Sequence, residues 1–153
     1  MITYQKEEWS DVLDEMKEIF KIQWKEVGLN ALSVHGRPLD PNWEVYDTID
    51  KAGGIYVYTA RSATSGNLIG HCMFFVFAHL HSKDLIVAEN DFIYLLKEYR
   101  KGRTGIKLIK FAVGELKKVA EIIFFSTNVH ASFLPILKRL DFKLTEHRAM
   151  WEV

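Results

Sequence analysis

Leu85-Ile86-Val87-Ala88-Glu89-Asn90-Asp91-Phe92-Ile93-Tyr94-Leu95 decides the fold of this chain, because a basic turn and a helix come soon after it. The turn is Tyr99-Arg100-Lys101-Gly102-Arg103-Thr104-Gly105, and the helix has Ile106, Leu108, Ile109, Ala112, Val113 and Leu116 as its inward stripe. The first stretch is a strand by its β-forming apolar residues, and the last is a helix by its three- and four-residue steps. Glu89, Asn90 and Asp91 interrupt the strand with three polar residues. Side chains two apart on a strand share a face, so Glu89 and Asp91 point together and Asn90 points away. At the start of a helix the first N–H groups have no partner and the dipole end is positive. Gly102 and Gly105 therefore let amide hydrogens come against phosphate oxygens, with Lys101, Arg103 and Lys107 adding charge. Neither a G-x-G-x-x-G fingerprint nor a G-x-x-x-x-G-K-[ST] run is present, which argues against Rossmann and P-loop sites.

Upstream of that unit, Ile55 to Arg61 alternates as a strand, Ser62 to Asn67 is turn material and Leu68 to Ala78 is a long apolar strand, which together read as an antiparallel hairpin. Further back, Trp9, Val12, Leu13, Met16, Ile19, Phe20, Trp24 and Val27 mark one face of a helix from about Lys6 to Val27, stopped by Gly28. The first seven residues are expected to run straight into that charged helix. Asp40-Pro41 predicts the N-cap and first turn of a short helix ending at Gly53-Gly54. Downstream, Ala120 to Ser126 predicts an apolar central strand and the junction Thr127-Asn128-Val129-His130 leads into a helix from about Ala131 to Leu140. Pro135 is tolerable only in that helix's first turn. Phe142 to Val153 predicts one or two closing strands.

The 153 residues are enough for one compact domain with its own core, spanning 1–153 without a linker or repeat. Twenty Lys and Arg balance twenty Asp and Glu, so a nucleic-acid surface is not expected and electrostatic recognition must be local. Apolar residues at 48% and aromatics at 13% argue against disorder. The single cysteine, Cys72, rules out a disulfide framework and points to a reducing, cytoplasmic compartment. Charged and polar residues break every apolar run before a membrane-spanning length, and no signal peptide is expected.

Across the loop the sequence resembles the GNAT (GCN5-related N-acetyltransferase) superfamily, whose members hold the pyrophosphate of acetyl-CoA on a Gln/Arg-x-x-Gly-x-Gly/Ala turn between the fourth strand and the next helix. Arg100 begins the match and Gly105 ends it, with Arg103 at the central glycine position and Gly102 one residue early. Small phage- and prophage-encoded members look similar here, which would place the protein in a host cytoplasm. The resemblance covers roughly Ile55 to Val153, and Leu140-Asp141-Phe142 is similar to the family's Leu-Gly-Phe ending. It implies an α/β fold: a mixed, mostly antiparallel sheet with splayed fourth and fifth strands, flanked by about four helices.

It also implies acetyl-CoA as cofactor, with main-chain contacts to the pantetheine arm from Phe92, Ile93, Tyr94, Leu95 and Leu96. The pyrophosphate would lie on Arg100, Lys101, Gly102, Arg103, Thr104 and Gly105, assisted by Lys107. Glu89, eleven residues before Arg100, matches a catalytic carboxylate of the family and Asp91 matches a second acidic position. His130, a third catalytic candidate, stands where Asn is frequent near the strand exit and could assist departure of the thiolate, as could Ser126 or water, and Leu137 stands where many members carry an acidic Tyr. The implied activity is transfer of the acetyl group to a primary amine by direct attack, with a noncatalytic acyl-CoA-binding or interaction domain as the alternative. A small-molecule, peptide or protein amine would be the acceptor, and a homodimer would be in keeping with the family.

The six histidines do not make a metal site, since His79 and His81 share a face with no further ligand nearby. Cys72 reads as a core residue, and Trp9, Phe20 and Trp24 as helix packing.

Overall fold

The computed structural model describes residues 1–28, 38–128 and 132–146. One sheet runs in the order β1 (Ile2–Glu7), β2 (Ile55–Ser62), β3 (Leu68–His79), β4 (Ser82–Leu95) and β5 (Ile122–Phe124). The first three pairings are antiparallel and β4–β5 is parallel. Period-two alternation divides the core between the sheet's faces. On one face Val57, Met73 and Tyr94 meet Trp9, Val12, Met16 and Phe20 of α1 (Trp9–Gln23), with Trp43, Tyr46 and Ile49 of α2 (Trp43–Lys51) packed alongside. On the other, Tyr58, Cys72, Phe74 and Ala88 meet Leu108, Ala112 and Leu116 of α3 (Thr104–Leu116). A short helix, α4 (Leu134–Arg139), follows β5. The mixed, mostly antiparallel sheet and its four α-helices among the described residues agree with the fold class expected.

The ends of the elements depart from expectation in physically instructive ways. Residues expected to lead into the first helix instead form β1, paired from Ile2↔Ser62 to Glu7↔Val57. Ile2 and Tyr4 turn inward while Thr3 and Gln5 stay exposed, and the Glu7 carboxylate lies against the Arg61 guanidinium (2.9 Å). Alternation and that ion pair outweigh the helical character of Lys6-Glu7. At its far end α1 stops at Gln23, and a widened π-turn carries the chain from Trp24 to Gly28. The N-cap of α2 is Asn42, whose Oδ1 accepts from Val45 N at 3.3 Å, so Asp40-Pro41 stays outside the helix. β5 is shorter than expected because Ala120 N still bonds Leu116 O (2.8 Å) and Phe125 has already left the ladder. The helix expected from Ala131 starts at Leu134, which places Pro135 in its first turn. Residues 142–146 form no strand, so that part of the expected closing strands is absent; 147–153 lie outside the described residues. Among the described residues no helix is long and apolar enough to cross a membrane.

Candidate functional site

The sheet forks between β4 and β5. Their parallel ladder has three rungs, Val87↔Ile122, Ala88↔Ile123 and Glu89↔Phe124, and then stops while β4 continues to Leu95. Asn90 accounts for the parting. Its side chain takes the place of a main-chain rung: Oδ1 accepts from Ser126 N (2.5 Å) and Nδ2 donates to Ser126 O (3.4 Å). The departing chain is thus held a side chain's length from β4. Phe125 secures it from below, edge-on to Phe74 (5.1 Å) and Phe142 (5.2 Å).

Beyond the fork β4 contains a bulge. Cys72 faces Ile93 and Phe74 faces Asn90, so Asp91 and Phe92 together oppose Met73. The extra residue reverses which main-chain groups point outward. Leu96 N donates to Ile69 O (2.9 Å), so by alternation the groups of Tyr94 and Leu96 turn to β3, whereas N–H and C=O of Ile93 and Leu95 turn into the fork. Of the five residues expected to offer main-chain contacts, these two turn their groups into the fork, where Leu95 O already accepts from Arg100 Nε.

The fork opens onto the basic turn. Gly102 takes φ +84°, a left-handed conformation that suits glycine, and Arg103 keeps φ −110°. Gly102 therefore absorbs the tight turn and Arg103 needs no strain at the position where the resembled family has glycine. The amides of Thr104, Gly105 and Ile106 precede the first helical bond of α3, Lys107 N to Arg103 O (2.9 Å). Tyr4 Oη donates to Thr104 O (3.3 Å), fixing this helix start to β1. Gly105 lines the cleft, and a Cβ there would lie 3.8 Å from Leu95 Cδ2. Lys101, Arg103 and Lys107 are exposed around the turn.

Arg100 is differently employed. Its Nη2 bonds Glu26 Oε2 (2.8 Å), its Nη1 also bonds the Glu26 carboxylate, and its Nε donates to Leu95 O (2.7 Å). The guanidinium lies over the Tyr94 ring, 4.9 Å from its centroid, and Tyr94 Oη donates to Glu26 Oε2 (2.5 Å). Arg100 first, with help from Tyr94, holds the Glu26 carboxyl down at about 2, and burial with the Glu26 charge pushes the Tyr94 phenol up to about 12.

Glu89 sits on the last rung before the fork, half-buried and lining the cleft. Asp91 follows in the bulge, on the face that carries α1 and α2. Tyr46 Oη donates to Asp91 Oδ2 (2.6 Å). Burial raises the Asp91 pKa above the ordinary carboxylate value, and the Tyr46 hydrogen bond opposes that rise. The structure thus brings Glu89, Asp91, the Ile93 and Leu95 edge and the turn at Gly102–Gly105 to one cleft. His130 lies outside the described residues. Leu137 lines the cleft with only 3% of its surface exposed and has no proton to give.

Sequence reasoning missed the parts played by Asn90, Tyr46 and Glu26. Tyr46 and Asp91 are 45 residues apart and Arg100 and Glu26 are 74 apart, so no local spacing could have paired them. His79 and His81 stand 5.7 Å apart at the β3–β4 turn, and no cluster of three metal-ligating side chains occurs among the described residues. Cys72 is fully buried, and burial pushes its thiol pKa up.

No family model matches the sequence, and no curated protein matches it. Solved structures do. A predicted acetyltransferase with acetyl-CoA from Clostridium acetobutylicum superposes with a TM-score of 0.70 at 14% identity, covering 99% of this chain and 96% of the other. AAC(6')-Iy, in complex with a bisubstrate analogue of CoA and acetylneamine, gives 0.71 at 15% identity over 100% and 98%. A transcriptional regulator from Bacillus halodurans gives 0.73 at 13% identity over the whole of both chains. Fork, turn and helix in this order, on this sheet, give the chain the fold of the GNAT acetyltransferases.

Proposed function

We propose that this protein is an acetyl-CoA-dependent N-acetyltransferase. The observation that carries this reading is the continuity of the fork-facing β4 edge at Ile93 and Leu95 with the Gly102 turn and the first amides of α3. A strand edge suits the amides of a pantetheine arm and a helix start suits a diphosphate, and here they adjoin in that order. Charge-assisted hydrogen bonds contribute roughly 1.5–3 kcal/mol each, so a few from the turn suffice to anchor the cofactor.

Acetyl-CoA supplies a thioester carbonyl. The chain's own residues hold it in the fork and remove a proton from the incoming amine. The amine nitrogen forms the new C–N bond, the C–S bond breaks, and the thiolate leaves with the electron pair. Glu89, at the apex of the fork, and Asp91, two residues on, face the side from which an acceptor would approach, and either carboxylate can take the proton directly or through water. The CoA thiolate is a fair leaving group, so Leu137 in place of an acid does not forbid turnover. Its apolar side chain does favour the second reading, a CoA-binding domain with weak or no catalysis, and one structural relative is named a transcriptional regulator.

The acceptor is a primary amine. Glu89 and Asp91 make a cationic acceptor the natural complement, in keeping with an aminoglycoside acetyltransferase among the structures of this fold. The buried thiol of Cys72 fits a cytoplasmic setting.

Incubation with acetyl-CoA and a panel of polyamines, aminoglycosides and lysine peptides, read by thiol release together with mass of the acetylated product, tests the proposal. Acceptor-dependent acetylation is expected, and Glu89→Gln should lower kcat more than it alters acetyl-CoA affinity. Cofactor binding without acetylated product from any amine would establish the second reading instead.

A further inference from the structure

We propose that Glu26 is an internal competitor for the cofactor: its carboxylate occupies Arg100 until the diphosphate displaces it, so that binding opens a latch between the phosphate turn and the end of α1. This rests on reading the Gly102 turn as the diphosphate site of acetyl-CoA. An arginine fork matches a carboxylate and a phosphate with the same pair of N–H groups, and it cannot grip both in that way at once. In this structure the fork is spent on Glu26, and Nε is spent on Leu95 O. Leu95 O is itself one of the main-chain acceptors turned into the fork of the sheet. A single side chain therefore covers the mouth of the cleft at two points that an incoming cofactor would use.

The latch is built to be displaced. Arg100 and Glu26 keep 37% and 35% of their side-chain surfaces exposed, so water screens the pair and a diphosphate carrying two charges outcompetes it. Glu26 sits in the π-turn Trp24–Gly28, a segment more easily rearranged than regular helix. Once Arg100 turns to phosphate, the Tyr94 hydroxyl still ties that turn to β4.

A merely structural ion pair and a competitor make opposite predictions for the same substitution. Calorimetric titration of CoA at physiological salt into the wild-type protein, Glu26→Gln and Glu98→Gln separates them. Glu98 is an exposed acid two residues from Arg100 and controls for the general loss of negative charge. Removing an exposed pair of this kind should tighten CoA binding about two- to fivefold in Glu26→Gln and leave Glu98→Gln close to wild type. Hydrogen exchange at the amides of Trp24–Gly28 should speed up when CoA binds the wild-type protein. Equal or weaker binding by Glu26→Gln, or equal tightening in both variants, overturns the proposal while leaving the cofactor site in place. No CoA binding by any of the three overturns the cofactor reading and the latch with it.

Discussion

At the residue scale the proposed transfer turns on which carboxylate would take the proton, and Tyr46 makes the question answerable. Burial raises the Asp91 pKa and the phenol at 2.6 Å pulls it back. A base works only when unprotonated, so an acid limb belonging to Asp91 lies above the ordinary carboxylate range, and activity is lost as pH falls through it. Tyr46→Phe removes the opposing hydrogen bond and should move that limb to still higher pH, with kcat/KM near pH 8 little changed. A limb that stays where it was assigns the proton transfer to Glu89. The shared face of Glu89 and Asp91 was legible in the sequence, because strand alternation fixes it. The phenol behind Asp91 was not, since Tyr46 reaches it only after α2 has packed on the sheet.

At the scale of elements, the fork is made by Asn90 and the turn by Gly102. Asn90 is 8% exposed and both ends of its amide bind Ser126, so Asn90→Ala removes the two hydrogen bonds that hold the departing chain and should cost about 1–3 kcal/mol. Chemical denaturation measures this, and an unchanged midpoint would mean that the strands part for another reason. On the turn, the Gly105 position admits a methyl group in ordinary contact with Leu95 but faces the cleft. Gly105→Ala should therefore bind CoA nearly as the wild type does, whereas Gly105→Glu should lose at least about tenfold by adding a negative charge beside the proposed diphosphate site. Equal affinities in the two variants would move the diphosphate elsewhere. The order of strand, turn and helix was readable from periodicity alone, and so was the hairpin before it. β1 was not recognised although Ile2-Thr3-Tyr4-Gln5 carries the alternation of a strand, because Lys6-Glu7 continues into a helix with the same charged composition. The β4 bulge has no sequence mark at all: it appears only in the register against β3.

Across the whole molecule, two layers of helix grip a sheet that stays closed from β1 to β4 and opens once, at the β4–β5 fork. Everything assigned to function lines that opening or adjoins it, from Glu89 at its apex to Arg100 at its mouth. The Glu26 carboxyl, held at about 2, remains ionised throughout the neutral range, so its effect on cofactor affinity should not vary between about pH 6 and 8. A titration of the amide-labelled protein with CoA, followed by NMR, reads the cofactor cleft residue by residue. The largest shifts should fall on Ile93, Leu95 and the amides from Lys101 to Ile106. Shifts confined to another surface, or none at saturating CoA, would contradict the account.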